Sequence, residues 1–321
     1  MPTLRTIATS VLFASSLALA CMWYSETVVT EEIPFPTDLE LISGNFPRHG
    51  QEYFRWVVGK HEARVHAPKH SDPADYDEWA WALEKLGKSD SAIAVMLQKR
   101  KRFANSYETM ANLGTFLFHS GKLAEGLPYI DTAIKMNPEA HFGREIYQRY
   151  LVEYFLLRNK ALPMEPTTDT NLKEKGFAAF VAKKLAVDRL LPHQREKAIK
   201  GVLGMTRFGD YRSPVLLEAW ADLERGSSYF KPALGYLQAA RYTKGATSEA
   251  YRKLVTDLPR LQVFSDLEKT LFSLDSASNA RFDTIVAAEK KWIQQGIAVD
   301  SAYRANYLAA KVKRIRRNDD F

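Results

Sequence analysis

Apolar and small residues recur along this chain with a period of 34 residues between positions 73 and 140. Within each copy, the apolar positions have the three- and four-residue spacing of one helix face, and a glycine interrupts the pattern. Each copy is therefore predicted to be two helices joined by a turn, over 73–106 and 107–140. The matches in register are Trp79, Ala80, Leu83, Gly87, Ala92, Ile93 and Met96 with Leu113, Gly114, Leu117, Gly121, Gly126, Leu127 and Ile130.

Helical spacing continues over most of the remaining chain, and no clean run of alternating apolar and polar residues predicts strands. Hydrophobic residues make up 46% of the chain and charged residues 26%, which is typical of a folded globular body. We therefore predict an all-α fold. Further helices are expected at 51–66, 141–159, 172–190, 192–207, 214–225, 231–242, 248–258, 263–274, 276–295 and 301–317.

The second copy has the residues that close a helix hairpin. Gly121 suits a left-handed helix end, Gly126 and Ala133 allow close approach of two helices, and Pro138 stops the second one. With this period and these residue types, both copies resemble the tetratricopeptide repeat (TPR). The resemblance implies a right-handed superhelix of antiparallel helix pairs, with additional helices capping it, because two repeats are usually too few to bury a core alone.

The resemblance is weaker outside the second copy. In the first copy, Lys99 replaces the late small residue and Ala104 replaces the terminal proline. A third, degenerate copy is predicted at 214–245, although its turn has no glycine at the expected place. The run 140–145 after Asn137-Pro138 is similar to bacterial TPR proteins of no assigned function.

Residues 1–20 have the pattern of an export signal. Arg5 is their only charged residue, and Ala18-Leu19-Ala20 is a small-x-small cleavage pattern. Cys21, the only cysteine, follows directly, so that residues 17–21 resemble the lipobox of bacterial lipoproteins. The resemblance implies a lipid on Cys21 and, with Met22 next, an outer-membrane lipoprotein facing the periplasm. Ordinary signal cleavage and an uncleaved anchor helix are the alternatives.

Composition suggests how the rest of the chain is organised. We expect a tether or irregular wrap at 21–50, the TPR domain at 51–160, a linker at 161–171 and a C-terminal helical region at 172–321. The formal net charge of +7 suits an acidic partner, an anionic lipid surface or an acidic polymer, and nucleic acid is not expected for an exported chain. The basic run 311–317 is either a solvated helix end or a contact with anionic lipid.

Known catalytic and metal-binding motifs are not matched. Gly87-Lys88-Ser89 has Ala82 where a phosphate loop requires glycine, and His61 and His66 are five residues apart rather than the four of a zinc-protease helix. We therefore expect no enzyme activity, no cofactor and no metal. A single glutamate could still be the acid of a cell-wall lytic enzyme, although a solvated helix face is the expected place for each candidate: Glu145, Glu153 and Glu218.

The first helix of each TPR unit lines a concave groove. The resemblance implies a partner-binding groove lined by Trp81, Lys85, Asn112, Phe118, His119 and Arg149. Asp77 and Trp81 stand where the family's peptide-carboxylate clamp needs Lys and Asn, so a reader of C-terminal tails is not expected. Trp81 and Phe118 instead predict an anchor for an apolar partner segment. Alternatively, the N-terminal wrap or another helix of the chain fills the groove.

These patterns favour a non-enzymatic scaffold or adaptor of the bacterial cell envelope that binds a protein partner. Two other hypotheses stay open. One is a cell-wall polysaccharide lytic enzyme built on a helical superhelix, and the other is a structural module whose groove is filled by the chain itself.

Overall fold

The computed structural model describes residues 36–46, 48–69, 72–103, 105–158, 163, 175–225, 230–258 and 264–296. These residues form thirteen α-helices and one 3-10 helix, with no strand among them, which confirms the all-α prediction. The helices are α1 (Asp38–Ile42), α2 (Gln51–Val65), α3 (Ala74–Lys85), α4 (Ser89–Arg102), α5 (Tyr107–His119), α6 (Leu123–Met136), the 3-10 helix (Ala140–Gly143), α7 (Arg144–Leu157), α8 (Gly176–Lys184), α9 (Pro192–Phe208), α10 (Pro214–Glu224), α11 (Phe230–Arg241), α12 (Gly245–Thr256) and α13 (Phe264–Gln294).

Helices α3 and α4, and then α5 and α6, form two consecutive packed pairs with the same turn. Gly87 and Gly121 have φ angles of +74° and +80°, so the left-handed residue predicted at Gly121 is confirmed. A backbone hydrogen bond of 2.9 Å closes each turn. Lys88 N–H donates to the Leu83 carbonyl in the first turn, and Lys122 N–H donates to the Leu117 carbonyl in the second. The sequence period thus corresponds to a repeated three-dimensional unit.

The second pair is packed so closely that a larger residue would not fit between its helices. A Cβ on Gly126 would lie 2.6 Å from the Phe118 ring and 2.8 Å from the Gly114 carbonyl oxygen. Ala133 and Ile130, which face the same seam, are fully buried. Glycine at position 126 is therefore required by the distance between the two helices.

Helices α10 and α11 form a similarly close pair in the second half of the chain. A Cβ on Gly235 would lie 2.8 Å from the Cβ of Ala221, and the adjacent Trp220 is fully buried. Both helices lie within the predicted range 214–245.

Several predicted helices in other parts of the chain have different bounds. α13 is one helix of 31 residues where two were predicted on either side of Ser276, because no glycine or proline interrupts it. α7 begins at 144 rather than 141, since Gly143 has a φ of +72°. α8 ends at Lys184 rather than 190, shortly before Ala186, whose φ is +54°.

The described part of the predicted tether is an ordered wrap. Leu41 and Ile42 are buried, and the Gln238 side-chain amide donates to the Ile42 carbonyl at 2.9 Å. Asp38 pairs with Lys231 at 2.6 Å. Residues 36–46 are therefore anchored on α11, in the second half of the chain.

The last described helix returns to the first half. The Gly50 N–H, at the start of α2, donates to Glu289 at 2.8 Å, and His49 Nδ1 lies 2.5 Å from the same carboxylate. Trp292 and Ile293 pack against the apolar cluster that α2 and α3 share. The start of α2 and the last part of α13, which are far apart in the sequence, thus lie close together in the fold.

Candidate functional site

Polar side chains join the first helices of successive pairs. Asn112 donates to Asp77 at 3.2 Å, between α5 and α3, and His119 Nδ1 lies 2.7 Å from Glu84. In each pair the two residues are 35 positions apart in the sequence, one more than the repeat period. Gln148 of α7 continues the series, donating to Thr115 at 3.1 Å. The predicted groove residues Asn112 and His119 therefore connect neighbouring repeats.

Lys99, which departs from the small residue of the repeat, has a partner inside the fold. Its ammonium donates to Asp77 Oδ2 at 2.6 Å, and both side chains are almost fully buried. Burial raises the pKa of Asp77, while the adjacent Lys99 charge acts in the opposite direction. Lys99, which stands where the repeat has a small residue, thus has a buried counter-charge in Asp77.

The aromatic residues predicted to line an open groove are covered. Trp81 is 2% exposed and contacts Phe54 of α2 edge-to-face, with ring centroids 5.2 Å apart. Phe118 is 0% exposed and lies against Gly126 of α6. Neither ring is accessible in this structure, because α2 and α6 occupy the space in front of them. A partner could bind these two rings only by displacing that covering.

Lys85 and Arg149, also predicted groove residues, are bound within the chain. Lys85 Nζ donates to the Phe208 and Gly209 carbonyls at 2.5 and 2.8 Å, and burial lowers its pKa to about 8. Arg149 contacts Asp131 through Nε and pairs with Glu153 at 2.8 Å. All six predicted groove residues therefore have contacts in the fold.

Helix α9 of the second half packs along α7, which follows the repeats, and reaches the end of α3. A Cβ on Gly201 would lie 2.7 Å from the Tyr147 ring, and one on Gly204 would lie 2.9 Å from Arg144 Cδ. Phe208, at the end of α9, belongs to the same apolar cluster as Trp81. Of the six predicted groove residues, Lys85 contacts this region, through the carbonyls of Phe208 and the following Gly209.

The candidate catalytic glutamates are not on solvated faces, with the partial exception of Glu153, whose side chain is 21% exposed. Glu145 and Glu218 are each 1% exposed. Glu145 accepts from the Tyr107 hydroxyl at 2.5 Å, and Glu218 accepts from the Tyr251 hydroxyl at 2.6 Å. The expectation of a solvated position is wrong for these two, because tyrosines from other helices supply hydrogen bonds inside the core.

A row of exposed cations lies at the end of α4. Arg100, Lys101 and Arg102, here called the basic edge, are all exposed. Arg100 lies near the Tyr129 hydroxyl at 3.4 Å, and Arg102 near the Tyr76 hydroxyl at 3.3 Å. The run Lys99-Arg100-Lys101-Arg102 in the sequence is the signal that identifies it.

Several predicted features fall outside the described residues: Cys21 and the export signal, the linker 161–171 except Pro163, and the basic run 311–317. In the part of the chain that is described, no helix has both the length and the apolar character needed to cross a bilayer. Among the same residues, no group of three metal-ligating side chains is found.

Comparison with protein-family models, with curated proteins and with solved structures finds no significant match to this chain. The arrangement of its helices and side chains is therefore the basis for inferring what it does.

Proposed function

We propose that this chain is a non-enzymatic TPR-type scaffold or adaptor of the bacterial cell envelope that binds an acidic protein partner. The observation that carries the proposal is the repeated unit over 73–140, in which two helix pairs share one glycine turn and are joined by side chains 35 residues apart. Stacked pairs of this kind present an extended, fixed surface, which is how helical repeats bind other proteins.

The partner is proposed to bind outside the groove. Trp81 and Phe118 are buried, and α9 packs along α7 and reaches the end of α3. These contacts support the hypothesis that the chain fills its own groove. They also weaken the lytic-enzyme hypothesis for two of its three candidate glutamates, since a polysaccharide cannot reach Glu145 and Glu218, which are each 1% exposed.

The basic edge is the proposed contact surface. Three exposed cations lie together at one helix end, in a chain whose formal net charge is +7. The planar guanidinium groups of Arg100 and Arg102, which also contact tyrosine hydroxyls, match carboxylates in geometry. Such a surface favours an acidic partner and speeds its association at low salt.

A crosslinking pull-down from detergent-solubilised membranes tests the proposal. We compare the wild-type chain with R100E/K101E and, as a control of equal charge change, with K290E/K291E on α13, where both lysines are exposed. We expect one acidic protein to be recovered with the wild type and the control, and lost with the basic-edge variant and at high salt. Equal recovery with all three chains, or no enriched protein, would overturn the proposal.

The localisation of the chain in the envelope is a separate proposal. It rests on residues 17–21, which resemble a lipobox. Membrane fractionation of the wild type and of C21S tests it, together with the mass of the mature N-terminus. We expect the wild type in the outer-membrane fraction, processed at Cys21 and carrying lipid, and C21S without lipid. A C21S chain that fractionates and is processed like the wild type would contradict the lipid anchor.

A further inference from the structure

Helix α2 lies over an aromatic part of the first half of the chain. Phe54 and Tyr53 of α2 contact the Trp81 ring edge-to-face, with ring centroids 5.2 and 6.4 Å away. Four of the six tryptophans belong to this apolar cluster: Trp56, Trp79, Trp81 and Trp292. Helix α2 precedes the repeats and packs on α3 and α13, so the glycine turns within the repeats do not depend on it.

A buried histidine joins α2 to α3. His61 Nδ1 lies 2.6 Å from Asp75 Oδ1, and the two side chains are 9% and 7% exposed. An ionised aspartate only accepts hydrogen bonds, so Nδ1 carries a proton and donates it to Asp75. One further proton, taken up on Nε2, would turn His61 into a cation at this joint.

The charges around His61 oppose that second proton. Asp75 is the carboxylate that faces the imidazole from α3, and Arg64 of α2 already pairs with it at 3.1 Å. Lys60, the residue before His61, adds another positive charge. From α13, Glu289 faces only the start of α2 at Gly50, about three helical turns before His61. A protonated His61 would thus be a third cation beside the Asp75 carboxylate, inside the fold.

The titration of His61 has the direction that this arrangement predicts. Burial lowers its pKa from the usual 6.5, with the Asp75 hydrogen bond acting in the opposite direction and the charges of Lys60 and Arg64 in the same one. The stability that neutral His61 contributes is therefore complete above pH 6.5 and is lost as the pH falls through the lowered value in the folded chain.

We propose that α2 is an acid-sensitive cover of the apolar surface around Trp81, and that protonation of His61 releases it from α3. Above pH 6.5 the neutral imidazole donates to Asp75 and the cover is closed. In acid the charged imidazole is better hydrated outside the joint, so α2 moves away and Trp81 becomes accessible. The basic edge takes no part in this device, so the proposal does not depend on the proposed function.

Acrylamide quenching of tryptophan fluorescence in the full chain tests the proposal between about pH 8 and pH 5, the range in which a histidine changes charge. We expect the Stern–Volmer constant of the wild type to rise at least about twofold in acid, as the covered tryptophans open to solvent. H61Q keeps an amide that can donate to Asp75 but cannot become charged, so its quenching should not change with pH. H193Q, at an exposed histidine near the start of α9, is the matched control and should respond like the wild type.

Hydrogen exchange of the wild type at the same pH values, corrected for intrinsic exchange rates, shows where the chain opens. We expect peptides from α2 to lose protection in acid while those from α5 and α10 keep theirs. The proposal is overturned if quenching of the wild type does not change with pH, or if H61Q responds as strongly. Loss of protection in all three helices would show general acid unfolding and would likewise overturn it.

Discussion

At the scale of single residues, this fold keeps acidic side chains in its core by pairing them with tyrosine hydroxyls. Tyr107 donates to Glu145, Tyr236 to Asp222 and Tyr251 to Glu218, at 2.5, 2.5 and 2.6 Å. Buried carboxylates without such donors would be strongly destabilising. The partners come from different helices, 38, 14 and 33 residues apart, so no local pattern in the sequence shows which glutamates are buried.

Asp222 should make stability depend on pH. Burial raises its pKa from 3.8 to about 6, although Tyr236 and the Phe177 N–H favour the charged form. Between these values the folded chain holds a proton that the unfolded chain releases, so the contribution of Asp222 is largest below pH 4 and is lost as the pH rises through 6. Relative to D222N, the wild type should lose up to about 3 kcal/mol over this range, since one pKa unit corresponds to about 1.4 kcal/mol.

Urea unfolding of the wild type and D222N at pH 4, 5, 6 and 7 measures this difference. A difference that stays constant would show that Asp222 ionises in the folded chain as it does in the unfolded one. A wild type that gained stability over D222N as the pH rose would show that folding lowers the pKa of Asp222.

Lys99 should be far more important to stability than its exposed neighbour. K99M leaves the Asp77 carboxylate buried without its ammonium partner, which should lower the free energy of unfolding by about 3–5 kcal/mol. K101M, two residues away on the exposed side, should change it by less than about 0.5 kcal/mol. Adding D77N to K99M should recover part of the loss. Similar denaturation midpoints for K99M and K101M would contradict the role assigned to the buried pair.

At the scale of helices, the features predicted best from the sequence are those set by residues close together in the chain. The glycine turns at Gly87 and Gly121 and the close seam at Gly126 follow from residues within one repeat. Contacts between residues far apart in the chain were predicted less well. Lys85 is bound by carbonyls 123 and 124 residues away, at the end of α9, and no periodicity contains that information. Among the predicted groove residues, Trp81 is covered by α2 and Lys85 by the end of α9, whereas Phe118 packs against α6 of its own repeat.

The same substitution at two helical glycines should have opposite effects. In G126A the new Cβ would lie 2.6 Å from the Phe118 ring and 2.8 Å from a backbone carbonyl, which should destabilise the chain by about 1–3 kcal/mol. Gly59, inside α2, has no neighbouring atom within 4 Å of a Cβ, so G59A should stabilise by about 0.5–1 kcal/mol through helix propensity. Chemical denaturation of both variants checks the pair. A neutral G126A would mean that the seam between α5 and α6 is looser than the structure indicates.

At the scale of the whole molecule, contacts between described residues join the two halves of the chain at several places. The wrap 36–46 is held on α11, α9 reaches the end of α3, and α13 packs on α2. Hydrophobic clusters accordingly combine residues from both halves, as when Phe208 joins the cluster of Trp81. A repeat stack normally has two polar ends and nearest-neighbour contacts alone. Here α9 and α13 of the second half also contact the apolar cluster of the repeats, so they bury surface that a stack of two units would leave exposed.

This closure predicts that the halves unfold together. Native-state hydrogen exchange followed by mass spectrometry should give peptides from α5 and α10 the same opening free energy and the same dependence on urea. F208A removes the apolar contact of α9 with the repeat cluster and should lower both values together, by about 3–5 kcal/mol. L191A, at an exposed leucine preceding the same helix, is the matched control and should leave both nearly unchanged. If α5 lost protection in F208A while α10 kept it, the two halves would unfold separately, and the repeats would be an independent domain that α9 stabilises in part. In that case the buried groove, rather than the basic edge, would again be the surface to test for a partner.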